Sequence, residues 1–141
     1  MSIKELIKKH EGYSNQAYKD SLGFLTVGVG HKVLPGEDFI EGETYNDEVL
    51  MNIFDKDFQR AVNGAKILTD GLDIDPVAFD VITCMVFQLG QTGTSKFKNM
   101  FLALEIPDYG LASEHMLQSK WHSQTKNRCE ELAEMMRSCG R

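Results

Sequence analysis

The chain has 141 residues, of which 42% are hydrophobic and 26% are charged, and its formal net charge at pH 7 is −6. This size and composition predict one compact soluble domain, and an acidic balance without a dense basic patch argues against nucleic-acid binding. No apolar run reaches the roughly 20 residues that a membrane span needs. Residues 1–5 lack the apolar region of a signal peptide, so we expect synthesis in a cytoplasm.

The three cysteines and four histidines are not spaced like metal ligands, so neither a metal site nor a cofactor is expected. Cys84 lies in a strongly apolar run, which predicts a buried thiol. The spacing of Cys129 and Cys139 permits a disulfide, but a cytoplasmic origin argues against one.

The N-terminal residues predict a short helix over 3–11. Ser2 and Glu5 form a capping-box pattern, apolar residues recur at helical spacing, and Gly12 is a natural residue to end the helix. Glu11 then lies in the last helical turn, near the negative end of the helix dipole. A carboxylate in that setting tends to retain its proton, as a general acid must.

Residues 13–31 predict two strands joined by a turn. Residues 20–23 have turn chemistry, and residues 24–29 are rich in β-branched and aromatic side chains, with Thr26 among them. Residues 33–42 are expected to be a loop or a third short strand. Glu11 and Asp20 are two carboxylates in different local settings with the Thr26 hydroxyl nearby, which is what hydrolysis of a glycosidic bond requires.

The remainder of the chain predicts helices. A long helix begins near Asn46 and runs past Gly64, and Asp75-Pro76 precedes an apolar helix over 77–89 that ends at Gly90. Further helices are predicted at residues 95–105, 108–119 and 126–138. The fold class is therefore α+β, with a small β-sheet N-terminal lobe (about 12–45), a linking helix (about 46–66) and a helical C-terminal lobe (about 67–141) within one domain, 1–141.

Three segments, in this order along the chain, resemble the phage lysozymes of the T-even type, the muramidases of glycoside hydrolase family 24. They are His10-Glu11-Gly12 through Gly30-His31, Met85 through Gly93, and Ser119-Lys120-Trp121 through Asn127-Arg128. The resemblance implies a lysozyme-like fold with a cleft between the two lobes, in which helix 3–11 packs on the C-terminal lobe.

The resemblance also implies roles for particular residues. Glu11 matches the catalytic acid, Asp20 the second carboxylate, and Thr26 the hydroxyl beside the attacking water. Arg128 matches a cation that orients the acid, although a structural ion pair between the lobes is an alternative or additional role. Substrate-binding positions match the residues Gly30, Lys32 and Phe87, of which Phe87 has ordinary core packing as its alternative. His31 and Asp57 match a pair that joins the sheet to the linking helix, and Trp121 is expected in the core.

The chain departs from the family pattern in three respects. The region between His31 and Asn46 is shorter than expected, and the net charge is acidic. Lys32, Met100 and His115 occupy cleft positions where other side chains are expected, so these departures concern sugar contacts and wall affinity more than the chemistry.

The implied activity is that of a monomeric endolysin without a cofactor. It would hydrolyse the β-1,4 bond between N-acetylmuramic acid and N-acetylglucosamine in bacterial peptidoglycan, with inversion, and lyse the host. The expected location is the cytoplasm of the infected bacterium, with a membrane-permeabilising helper giving access to the wall. One alternative is a lytic transglycosylase, which typically uses one carboxylate, so Asp20 and Thr26 count against it. Another is a non-catalytic wall-binding or phage tail-associated module, supported by the shortened region and the acidic charge.

Overall fold

The computed structural model describes residues 2–140 as an α+β fold, which confirms the predicted fold class. The chain forms two compact units, one ending at Arg60 and the other beginning at Ala61. The predicted cleft, and the packing of helix 3–11 on the C-terminal lobe, stay predictions. No helix within residues 2–140 is long and apolar enough to cross a membrane.

The first unit begins with helix α1, Ile3–Glu11, at the predicted bounds. The Ser2 hydroxyl accepts a hydrogen bond from the backbone N–H of Glu5 at 3.2 Å, which satisfies one of the unpaired donors of the first turn. Gly12 ends the helix with φ 74°, and its N–H donates to the carbonyl of Lys8 at 2.8 Å. Local capping chemistry therefore determines both ends of the helix that carries Glu11.

An antiparallel sheet of three strands in the order β1-β2-β3 follows, with strands Ser14–Lys19, Leu25–Gly28 and His31–Lys32. The third strand thus precedes residues 33–42, where a loop or strand was predicted. Those residues form a loop that returns along β1, where the N–H of Ala17 donates to the carbonyl of Glu43 at 3.0 Å and Gln16 forms a β-bridge with Thr44.

One face of the sheet is apolar and packs on helix α2, Asp47–Leu68, whose first part belongs to this unit. The centre of this core consists of Ala17, Val27 and Leu50, all at most 1% exposed. Helix α1 also contacts α2 within the unit, because the Lys4 ammonium lies 2.9 Å from a carboxylate oxygen of Asp55. The other sheet face is left for polar side chains.

The second unit is helical and begins, after the end of α2, with α3, Pro76–Ser95. The Asp75 carboxylate caps it by accepting from the N–H of Val77 at 2.8 Å, as predicted. Gly90 has φ 79° and a non-helical backbone that separates two helical segments, so the first segment ends where it was predicted to end. Residues 91–95 form a further helical segment that was not predicted. The Thr94 hydroxyl donates to the Gly90 carbonyl at 2.9 Å and supports this last turn.

Four more helices complete the described chain: α4 Lys98–Glu105, α5 Tyr109–Leu117, α6 Lys120–Gln124 and α7 Lys126–Ser138. Helix α7 has its predicted bounds, whereas α6 was not predicted. Ser119 was assigned to the end of a helix over 108–119, but its hydroxyl accepts from the N–H of His122 at 3.3 Å and caps α6. The largest fully buried side chains of this unit are those of Ile82, Met85, Met100, Leu104, Met116, Leu132 and Met136.

Cys84, Cys129 and Cys139 are free and buried in this unit. Burial raises the pKa of Cys84 to about 12 and those of Cys129 and Cys139 to about 11. The predicted burial of Cys84 is confirmed, and Cys129 and Cys139 form no disulfide.

Candidate active site

The polar face of the sheet brings together residues from all three strands. Tyr18 of β1 pairs with Thr26 of β2, which pairs with Lys32 of β3, so these side chains lie on one face. Asp20 follows β1 and Phe24 precedes β2, and the N–H of Asp20 donates to the carbonyl of Phe24 at 2.9 Å. Alternation along the strands therefore places Asp20 on the same face as Thr26.

Both carboxylate oxygens of Asp20 are occupied. Oδ1 accepts the backbone N–H groups of Leu22 at 2.9 Å and Phe24 at 2.8 Å, which closes the predicted turn between β1 and β2. Oδ2 accepts a hydrogen bond from the Lys32 ammonium in a direct ion pair. The Lys32 contact, followed by the N–H of Phe24, holds the pKa of Asp20 below its ordinary value, so this carboxylate is ionised at neutral pH.

The Thr26 hydroxyl uses its one hydrogen within the protein. Thr26 is 1% exposed, and its Oγ1 donates to the carbonyl of Phe24 at 3.0 Å. Since a hydroxyl carries one hydrogen, this bond leaves the lone pairs of Oγ1 to accept from a donor. A water molecule held by Thr26 would therefore donate a hydrogen to it.

Glu11 lies against the turn between β2 and β3. A Cβ atom added at Gly30 would be 2.1 Å from Oε2 of Glu11, and Gly30 has φ +62°. Glycine is favoured at this position for two reasons: the backbone is left-handed, and the Glu11 carboxylate leaves no room for a Cβ atom. Directly after Gly12, the Tyr13 hydroxyl donates to the carboxylate of Asp47 at the start of α2, which anchors the chain beyond α1.

His31, on the apolar side of the sheet, lies between two carboxylates. Its Nδ1 lies 2.7 Å from Oδ2 of Asp57, as the resemblance implied, and its Nε2 lies 2.9 Å from Oε1 of Glu37. The hydrogen bond to Asp57 raises the pKa of His31 and, with Glu37, outweighs the effect of burial. Burial acts to raise the pKa of Glu37, but the N–H of Leu34 and the His31 ring lower it overall.

The other predicted site residues belong to the second unit. Arg128 is half-buried in the first turn of α7, and its charge acts on the thiol of Cys84. Phe87 is half-buried on α3. Met100 and His115 line a cavity of about 540 Å³ together with other residues from 89 to 124. The predicted contact between Arg128 and Glu11 joins the two units and stays a prediction.

Trp121 also borders this cavity, but it is 3% exposed, as its core assignment predicts. Its indole N–H donates to Oε1 of Gln88 at 3.0 Å, and its ring forms a T-shaped pair with that of Phe97, with centroids 5.9 Å apart. Within residues 2–140, no group of three or more His, Cys, Asp or Glu side chains is arranged to hold a metal ion.

Sequence reasoning missed three contacts in the first unit. The pairing of Lys32 with Asp20 follows from the β2–β3 register, and the contact of Gly30 with Glu11 follows from the packing of α1. The contact of Glu37 with His31 depends on the course of the loop after β3. A lysine two residues after a glycine turn was a local signal for the contact of Lys32 with Asp20. The contacts of Gly30 with Glu11 and of Glu37 with His31 have no such signal in the sequence.

Comparisons with known proteins identify the family of the chain. The family model described as phage lysozyme matches residues 8–137, which include the sheet, the candidate residues and most of the helical unit. The chain belongs to the phage lysozyme family. Its α+β fold is therefore that of a lysozyme.

Individual relatives are similar at modest identity. Probable T4-type lysozyme 2 of Dictyostelium discoideum is 27% identical over 150 residues, covering 90% of this chain and 88% of the relative. Peptidoglycan hydrolase gp36 of Pseudomonas phage phiKMV is 31% identical over 94% of this chain and 15% of its own length. The pre-baseplate central spike protein Gp5 of Enterobacteria phage T4 is 25% identical over 94% of this chain and 27% of its own length.

Proposed function

We propose that this lysozyme-family chain hydrolyses the β-1,4 bond between N-acetylmuramic acid and N-acetylglucosamine in bacterial peptidoglycan. Membership of the family supports a glycoside hydrolase with a muramidase-type action on the cell wall. One observation carries the finer proposal: an ionised Asp20 and Thr26 share a sheet face beside the turn against which the Glu11 carboxylate lies.

In the proposed reaction, Glu11 donates its proton to the glycosidic oxygen as the bond to the anomeric carbon breaks. Asp20 stabilises the positive charge that develops on the sugar. A water molecule donates a hydrogen bond to Oγ1 of Thr26 and attacks the anomeric carbon through its oxygen. Asp20 takes up the other proton of this water, so the new hydroxyl group of the sugar keeps one hydrogen. Attack from the face opposite the leaving group gives inversion.

Arg128 is proposed to orient Glu11 through an ion pair. The basis is the resemblance of the segment from Ser119 to Arg128 to the family, in which Arg128 matches a cation that reaches the acid. Arg128→Ala is expected to lower kcat/KM and to reduce thermal stability to some extent. Full activity together with an unchanged Tm would reject this role.

The biological setting is proposed to be that of an endolysin. The chain would act as a monomer, without a cofactor, and reach the wall from the host cytoplasm after a helper permeabilises the membrane. A particle-associated role is the second candidate, favoured by the 94% of this chain that matches part of the phage T4 spike protein. Detection of the protein in purified virions would support that role, and its presence only in infected cells would support the endolysin.

Mass spectrometry of muropeptides tests the activity. Purified peptidoglycan is digested by the wild type and by Glu11→Gln, which keeps the size of the side chain but cannot act as the acid. Hydrated reducing-end muramic acid products from the wild type alone are expected, and the anomer first formed, read by NMR, tests inversion. Anhydro products would identify a transglycosylase, and binding without any product would identify a wall-binding module.

A further inference from the structure

The hairpin turn leaves only one oxygen of Asp20 directed away from the backbone. Oδ1 accepts two backbone N–H groups of the turn, from Leu22 and Phe24, and is committed to the local fold. Oδ2 is the oxygen that can meet substrate or water, and it is the oxygen that the Lys32 ammonium contacts. Lys32 therefore competes directly for the reactive side of the carboxylate.

The sheet register brings Lys32 to this oxygen. Lys32 lies directly opposite Thr26, so its side chain extends along the same face towards Asp20. The Lys32 side chain is 55% exposed, whereas that of Asp20 is 16% exposed. An exposed ammonium on a four-carbon stem with three hydrogens can release Oδ2, or donate at the same time to a sugar oxygen.

The nearby charges single out Lys32. Its charge is the one that acts on Asp20 among the described residues. The adjacent Lys19 pairs instead with Glu41 at 3.7 Å, because it follows the opposite alternation of β1. Tyr18, on the same face as Asp20, presents a phenol and not a cation.

We propose that Lys32 is a positioning residue of the reaction, which holds Oδ2 of Asp20 ionised and oriented on the Thr26 face until substrate enters. The role rests on the proposed function, since Asp20 is the second carboxylate there. An ionised carboxylate stabilises the positively charged sugar in the transition state, and a protonated one does not. Without Lys32, Asp20 takes up a proton at a higher pH, and the rate of hydrolysis falls as the ionised form of Asp20 is lost.

The test compares Lys32→Met, which removes the cation, with Lys32→Arg, which keeps it. Lys19→Met is the matched control, because it makes the same change of net charge on a lysine paired with a different carboxylate. Two quantities are measured for each variant: the NMR titration of the Asp20 side-chain carboxyl carbon, assigned with Asp20→Asn, and the pH profile of kcat/KM on soluble peptidoglycan fragments.

In Lys32→Met, the Asp20 titration and the acid limb of kcat/KM are expected to move together to higher pH. An Asp at its ordinary pKa of about 3.9 loses its ionised form roughly tenfold per pH unit below that value, so the loss of rate grows at that slope in acid. Near neutral pH the change in rate is small. Lys32→Arg and Lys19→Met are expected to keep both midpoints close to those of the wild type.

Each other outcome decides a separate point. An Asp20 titration that is the same in Lys32→Met and wild type would overturn the contact itself. A shifted titration with an unchanged pH profile, while Asp20→Asn is inactive, would overturn the role of Lys32 in the reaction. Full activity of Asp20→Asn would instead overturn the proposed function of Asp20, and with it the role that depends on it.

Discussion

Gly30→Ala should separate the position of Glu11 from the stability of the fold. The added methyl group would lie 2.1 Å from Oε2 and 2.9 Å from Cδ of Glu11, and the residue would have to adopt φ +62°. The two closest atoms belong to the end of a flexible side chain, and the third, Cβ of Glu11 at 3.1 Å, has to give way by only a few tenths of an ångström. We therefore expect the turn to stay in place and the Glu11 carboxylate to move.

The expected losses of rate and of stability in Gly30→Ala follow from this geometry. To reach an ordinary contact of 3.4 Å from 2.1 Å, Oε2 must move by about 1.3 Å. A misplacement of about 1 Å costs about 10²-fold in rate, or roughly 2.7 kcal/mol of transition-state stabilisation. The left-handed backbone costs an alanine about 1–2 kcal/mol, which lowers Tm by roughly 3–8 °C in a domain of this size.

Gly28→Ala is the matched control. Gly28 has φ +66°, but the three atoms nearest to its added Cβ all belong to Leu50, the closest being Cβ at 3.4 Å. Both variants are expected to lose similar stability in thermal unfolding, while Gly30→Ala alone loses about 10²-fold in kcat/KM for muropeptide release. Equal activities in the two variants would refute the view that the Glu11 carboxylate must occupy its place beside the turn.

Three further substitutions test contacts that support the site or the fold. Asp57→Asn removes the charged partner of His31 and should lower the free energy of unfolding by about 1.5–3 kcal/mol. Folding raises the pKa of His31, so the stabilisation by Asp57 is complete below the unfolded pKa of about 6.5 and fades as the pH rises through the folded pKa. Denaturation in which Asp57→Asn loses the same free energy of unfolding in acid and in alkali would contradict this. Trp121→Phe removes the indole donor to Gln88 and should cost about 1 kcal/mol in urea unfolding, whereas an unchanged midpoint would show that the bond contributes nothing. Ser2→Ala should also cost about 1 kcal/mol by removing the cap of α1, and Ser2→Asp, which keeps an acceptor, should lose less; equal losses would reject the capping role.

The elements that sequence predicted best are those whose ends depend on neighbouring residues. Helix α1 begins and ends at Ser2 and Gly12 through short-range hydrogen bonds, and α7 has a sustained apolar period, so both were predicted at their bounds. Helix α6 and the turn 91–95 are too short to show a period, and their formation depends on packing in the helical unit. Local patterns also located the Asp20 turn.

The contacts of the candidate site were less accessible to sequence. The resemblance to the family indicated Glu11, Asp20 and Thr26 as candidates, but the pairing of Lys32 with Asp20 required the strand register. Glu37 reaches His31 from a loop whose course is set by its return along β1. Such contacts depend on tertiary structure, which the propensities of single residues do not encode.

The three buried thiols are natural probes of local opening in the helical unit. A thiol reagent attacks the thiolate, and burial with a raised pKa suppresses that form at Cys84, Cys129 and Cys139. Alkylation must therefore wait for local opening, and its rate measures the free energy of each opening in the native protein. The alkylation of Cys84 reports on opening at the middle of α3, whereas that of Cys129 and Cys139 reports on the beginning and the end of α7. The unaltered chain thus carries three probes from which the order of opening along two helices can be read.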